Sequence, residues 1–235
     1  MIRQGQFQEA TQSESDKSIA SEELKKEDND SLADAYDYIT EGSTVECRSL
    51  PLDLVFVLDE SGSIGVENYK LALNFLSDFV EAMGAIGPAY NASQIGMVTF
   101  DNNAHVRFTL ADFNTKQEVK DAINSTSYGS GGTNIAAGMR GGLEVFVAEG
   151  NRRLNADVML LITDGSDSSD VEGAQREAQR RGVTVFVLGI GRGGNKIYFV
   201  KATGSEERVL LVDDFESLRQ PNVTTAICGK LSQLT

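Results

Sequence analysis

The chain has 235 residues, 40% of them apolar, with 35 acidic and 21 basic side chains and a net charge of -14. That length holds one full-sized domain and an appendage rather than two large domains. No apolar run nears the roughly 20 residues that span a bilayer, and so acidic a chain lacks the concentrated positive charge that nucleic-acid phosphates require. Met1 to Ala10 contains no apolar stretch, so no signal peptide is expected there, and a secreted form would have lost its leader.

The acid is unevenly spread. Residues 1–46 hold twelve Asp/Glu and four Lys/Arg, a net of -8, and few large apolar side chains. Such a composition does not bury enough surface to offset chain entropy, so an acidic, disordered tail is expected over 1–46. The Asp34 to Tyr38 stretch (DAYDY) is a solvated linker or a site of tyrosine modification.

From Leu52 the pattern changes. Leu52 to Leu58 is an apolar run of β-formers, as expected of a strand buried on both faces. Val66 to Met83 carries apolar residues at helical spacing, among them Leu71, Phe75, Leu76, Phe79 and Val80. Strands are predicted at 95–100 and 105–110 around an Asp101-Asn102-Asn103 turn, then a short helix at 116–123 and a longer one at 134–148. A second apolar strand follows at 158–163, a helix at 171–181 stopped by Gly182, and a third apolar strand at 183–190. A short helix at 197–202, a strand at 209–212 and a last helix within 215–231 complete the series. Apolar strands alternating with amphipathic helices predict an α/β doubly wound fold, a mostly parallel sheet flanked by helices. The domain is expected over 47–231, with 232–235 as its C-terminal end. Ligands of such sheets bind beyond the carboxyl ends of the strands.

Those strand ends carry a distinct chemistry. The first strand runs into Asp59-Glu60-Ser61-Gly62-Ser63, and the strand at 158–163 into Thr163-Asp164-Gly165. The segment Gly129-Ser130-Gly131-Gly132-Thr133-Asn134 precedes the longer helix. Asp59, Ser61, Ser63, Thr133 and Asp164 offer two carboxylates and three hydroxyls, with no thiol and no imidazole. This hard oxygen set selects Mg²⁺, Mn²⁺ or Ca²⁺ over Zn²⁺ or Cu²⁺. Uncharged hydroxyls leave the cation electrophilic, able to accept one more carboxylate from outside.

These three segments, in this order, resemble the metal-ion-dependent adhesion site of von Willebrand factor type A domains and integrin I domains. The resemblance covers about residues 50–230. It implies a Rossmann-like sheet and an Mg²⁺ held directly by Ser61, Ser63 and Thr133, with Asp59 and Asp164 acting mainly through water. It also implies an extracellular, cation-dependent adhesion or matrix-interaction module, not an enzyme. The partner is then an extracellular matrix or cell-surface protein offering a Glu or Asp. Collagen is one candidate, although the inserted helix of collagen-binding integrin I domains is absent. The rival reading is a structural matrix module with metal-independent contacts.

Four other signals compete. Gly189-Ile-Gly191-Arg-Gly-Gly194 fits the G-x-G-x-x-G of dinucleotide sites, but only one more strand follows it. A phosphatase with Asp59 as nucleophile, like the haloacid dehalogenases, calls for Asp where Ser61 stands. The single histidine, His105, gives no serine-nucleophile arrangement. The cluster Asp164, Asp167 and Asp170 reads as a second cation site or as a solvated loop with Asp170 capping the next helix.

Cys47 and Cys228 are the only cysteines and bracket the patterned region. They are two separate buried thiols or one disulfide tying the domain ends, and the disulfide is the expectation. In the chain-entropy model so long a loop gains about 5 kcal/mol. Asn91, Asn124 and Asn222 head N-x-[ST] sequons in the patterned region, as does Asn29 in the tail, and are glycosylation candidates in a secretory route.

Overall fold

The computed structural model describes Cys47 and residues 50–152, 154–191 and 196–234. The expected acidic tail over 1–46 lies outside the described residues, as do residues 192–194 of the G-x-G-x-x-G stretch. Six strands form one sheet: β1 (Leu52–Asp59), β2 (Gln94–Phe100), β3 (Ala104–Phe108), β4 (Ala156–Thr163), β5 (Thr184–Ile190) and β6 (Val209–Val212), in the order β3-β2-β1-β4-β5-β6. Every pairing is parallel except that of β3, which returns antiparallel beside β2.

Helices cover the sheet: α1 (Val66–Ala82), α2 (Lys116–Asn124), α3 (Ile135–Val147), α4 (Val171–Arg181), α5 (Lys196–Thr203) and α6 (Pro221–Leu231). Alternation along β1 shows why both faces need covering. Leu52, Leu54, Phe56 and Leu58 enter a core with Leu76, Phe79 and Val80 of α1, whereas Val55 and Val57 enter a second core with Met139 and Leu143 of α3. All these residues of β1 are at most 1% exposed. Burying each such Leu or Phe is worth about 1.5–3 kcal/mol, so the two cores are the main source of stability.

The sequence punctuates the helices. Thr115 and Glu118 form a capping box at the start of α2, and Asn134 caps α3 through the Ala137 amide. Asp170 caps α4 through the Gly173 amide, and Gly182, in the left-handed region, ends that helix. The last helix, expected within 215–231, is α6, and a 3-10 turn at Phe215–Arg219 precedes it; Pro221 has no N–H to donate and begins the helix. Strand β3 stops at Phe108, before the expected Leu110. Cys228 of α6 is bonded as a disulfide to Cys47, with Cα atoms 5.1 Å apart. No helix among the described residues is long and apolar enough to cross a membrane.

Candidate metal centre

From β1 the chain crosses to β2 on one side, while β4 lies on the other side of β1. The loops leaving the carboxyl ends of β1 and β4 therefore part at the topological switch point, where doubly wound sheets open a crevice. Asp59 ends β1 and Asp164 follows the last residue of β4.

Asp59 is fully buried and both of its oxygens are engaged. Oδ1 accepts the Ser61 amide at 2.8 Å and Oδ2 accepts the Thr163 hydroxyl at 2.6 Å. The Ser61 and Ser63 hydroxyl oxygens lie 3.1 Å apart, and Ser63 donates to Asp164 Oδ1 at 3.0 Å. Four of the five expected residues thus form one hydrogen-bonded chain. Burial pushes the carboxyls of both Asp59 and Asp164 above the ordinary range, against the pull of their hydroxyl donors; at Asp59 the nearby Asp164 charge adds to the rise.

The fifth, Thr133, arrives by a different route. The loop before α3 is laced to the loop after β1: Ser130 N–H donates to the Glu60 carbonyl at 2.9 Å and Gly62 N–H to the Gly131 carbonyl at 2.8 Å. Ser61 and Gly131 form an isolated parallel bridge. A Cβ on Gly131 would collide with the Asp101 carboxylate, so only glycine lets the loop come this close. Ser130 takes the left-handed conformation, φ 64°, to make the bend. Thr133, half-buried two residues beyond Gly131, has no hydrogen-bond partner for its hydroxyl among the described residues.

Several supporting residues carry no sequence signal. Glu60, 1% exposed, takes two bonds from Arg107 of β3, at 2.8 and 3.0 Å; Arg107 also donates to Thr99 at 2.7 Å. Tyr128 donates to the Ser61 carbonyl at 2.7 Å, accepts the Gly65 amide at 3.0 Å and packs on the Tyr69 ring. Glu60 and Arg107 are 47 positions apart in sequence, so only the folded sheet pairs them.

The other candidates make no hydrogen bond to these five residues. His105 on β3 faces Asp101 at 3.2 Å and has no serine hydroxyl among its hydrogen-bond partners. Gly189 lies under Phe199, and a Cβ there would come within 2.8 Å of Leu211, so packing accounts for this glycine. Asn91 is exposed in the turn before β2, Asn124 is exposed at the end of α2, and Asn222 is half-buried in the first turn of α6 with an unpartnered Oδ1. Among the described residues, no three His, Cys, Asp or Glu side chains converge on one point. A cation at the switch point must therefore draw on hydroxyls as well as carboxylates.

A buried carboxylate at the end of β1, a half-buried one after β4, and serine hydroxyls between them gather oxygens at the switch point of a doubly wound sheet. The family model of the von Willebrand factor type A domain matches residues 53–224, and the chain belongs to that family. It is similar to the collagen alpha-6(VI) chain of Mus musculus, 28% identical over 185 residues that cover 77% of this chain and 8% of that one. It is also similar to matrilin-1 of Homo sapiens, 26% identical over 171 residues, 72% of this chain and 34% of that one. Among solved structures it resembles proximal thread matrix protein 1 from the mussel byssus with a zinc-occupied MIDAS motif: TM-score 0.72, 26% identity, covering 80% of this chain and 49% of that chain. The chain thus spans 8% and 34% of these two curated relatives and about half of that solved structure.

Proposed function

We propose that this chain is an extracellular, divalent-cation-dependent protein-binding module whose cation accepts a carboxylate from its partner. The observation that carries the reading is the hydrogen-bonded chain Asp59–Ser61–Ser63–Asp164 at the switch point, with the unpartnered Thr133 hydroxyl on the adjoining loop. The donor set fits a hard cation. The Ser61 and Ser63 oxygens, 3.1 Å apart, have about the separation of neighbouring ligands around an octahedral Mg²⁺. Asp59 and Asp164 form no ion pair with a described Lys or Arg, so a divalent ion supplies the missing positive charge.

In this reading Ser61, Ser63 and Thr133 hold the ion, and Asp59 and Asp164 hold it through water. Mg²⁺ is the expected ion, with Mn²⁺ or Ca²⁺ as substitutes. Two carboxylates and neutral hydroxyls leave it electrophilic, and an incoming Glu or Asp completes its shell. The kinship with a collagen chain and a matrilin supports a matrix or cell-surface partner, and the disulfide supports a secreted protein. Exposed Asn91 and Asn124 are then the favoured glycan acceptors, with half-buried Asn222 third.

The test is binding to immobilised matrix proteins with Mg²⁺, with EDTA, and with Asp59→Ala. Binding is expected to need the metal, to fail in the variant and to fall at least tenfold when one acid of the partner becomes its amide. Binding that persists in EDTA would favour a structural module with metal-independent contacts. Loss in EDTA with no critical partner acid would mean that the cation shapes the loops rather than bridging to the partner.

A further inference from the structure

The loop after β4 does more than present Asp164. Asp167, three residues on, has both oxygens occupied. Its Oδ1 accepts the Ser169 hydroxyl at 2.8 Å and the hydroxyl of Tyr198 on α5, and its Oδ2 accepts the Ile135 amide at 3.2 Å. Ser169 Oγ in turn accepts the Ala136 amide at 3.0 Å. The first amides of a helix have no partner within the helix. In α3 the first three are all taken: Ala137 by Asn134 of its own cap, Ile135 and Ala136 by the loop after β4. A carboxylate at this helix end also meets the positive pole of the helix dipole. With three donors around it, the Asp167 carboxylate is a structural acceptor rather than a ligand of a second cation.

Thr133 stands two residues before Ile135, and Asp164 three before Asp167. The two bonds from this loop to α3 therefore fix the segment carrying Thr133 against the loop carrying Asp164. The bracket is held from a third element, α5, through the Tyr198 hydroxyl, which is half-buried and donates to the same Asp167 oxygen as Ser169. We propose that Tyr198 is a positioning residue for the cation site: by orienting Asp167 it keeps Thr133 and Asp164 in register for one ion. This inference rests on the reading that those two residues serve one cation.

The test uses the full chain and Mn²⁺ alone as probe. Tyr198→Phe removes one hydroxyl and leaves the ring in place. The expected result is Mn²⁺ affinity lowered by about tenfold, the low end for an outer-shell partner. In EDTA, amide exchange should quicken at Ile135 and Ala136, while the melting temperature moves by less than about 2 °C. If wild type binds Mn²⁺ and Tyr198→Phe binds it equally well, the inference is overturned and the cation reading stands. Weaker binding accompanied by faster exchange throughout the sheet would also overturn it, since the tyrosine would then be a general stabiliser. If wild type itself binds no divalent cation, the proposed function fails first and Tyr198 has no cation site to position.

Discussion

At the residue scale, charge is placed differently at the two ends of the sheet. Beyond the carboxyl ends of the strands, buried Asp59 and half-buried Asp164 accept bonds from hydroxyl donors. At the opposite end, Asp53 and Asp157 are register partners on β1 and β4. Asp53 is fully buried and clasped by Arg152, whose backbone amide donates at 2.7 Å and Nε at 2.8 Å. Asp157 receives one bond from Asn151 at 3.1 Å, and its Oδ1 is buried without a partner. Burial, with the neighbouring Asp53 charge, pushes the Asp157 carboxyl up to about 6 despite the Asn151 bond. The sign follows: a carboxyl raised in the folded state favours folding when protonated, and this contribution is lost as pH rises through about 6. Asp157→Asn should therefore raise the melting temperature at pH 7.5, and the gain should shrink towards zero by about pH 4. A gain that is the same at both pH values would show that charge at Asp157 is not the cause.

At the element scale, the loops of this domain are held mainly by helix caps and by bonds across elements. Asp170 belongs to the acidic run after β4, yet its Oδ1 accepts the Gly173 amide at 2.9 Å and begins α4. Asp170→Ala should cost about 1 kcal/mol, the usual worth of such a cap, seen as a fall of about 2–4 °C in melting temperature. Mn²⁺ affinity should not change. A weaker affinity with an unchanged melting temperature would instead make Asp170 part of a cation site. The Gly-rich loop before α3 shows the other mode of support. It has few side chains of its own to pack, and it is positioned by backbone bonds to Glu60 and Gly62.

At the scale of the whole molecule, the disulfide links residues 181 positions apart, so it closes nearly the entire domain into a loop. Its chief effect is on the unfolded chain, whose freedom it restricts. Cys228→Ser should destabilise by about 2–5 kcal/mol, which for a domain of this size is a fall of roughly 5–15 °C. Thiol titration of the unreduced wild type, unfolded in denaturant, should find no free thiol. Two free thiols in protein from a secretory host would sink the bond, and an unchanged melting temperature in Cys228→Ser would sink its role in stability.

The sequence by itself determined the kind and order of the elements. Leu52 to Leu58 and Val158 to Thr163 are apolar on both faces because a parallel sheet covered by helices leaves no face to water. Asp170 and Gly182 marked helix ends, since caps act within a few residues of one another. Glycine-flanked, oxygen-bearing residues at strand ends were legible for the same local reason. What only the tertiary structure decided was convergence. Sheet order brings Asp59 and Asp164 to one switch point although 105 positions separate them, and backbone lacing brings the loop of Thr133 beside Ser61. The Glu60–Arg107 pair and the Asp167–Tyr198 bond had no sequence signature, being single polar contacts between distant elements. Periodicity records which face of an element is buried. It does not record which polar partner waits there, because that depends on how the helices and loops seat around the finished sheet.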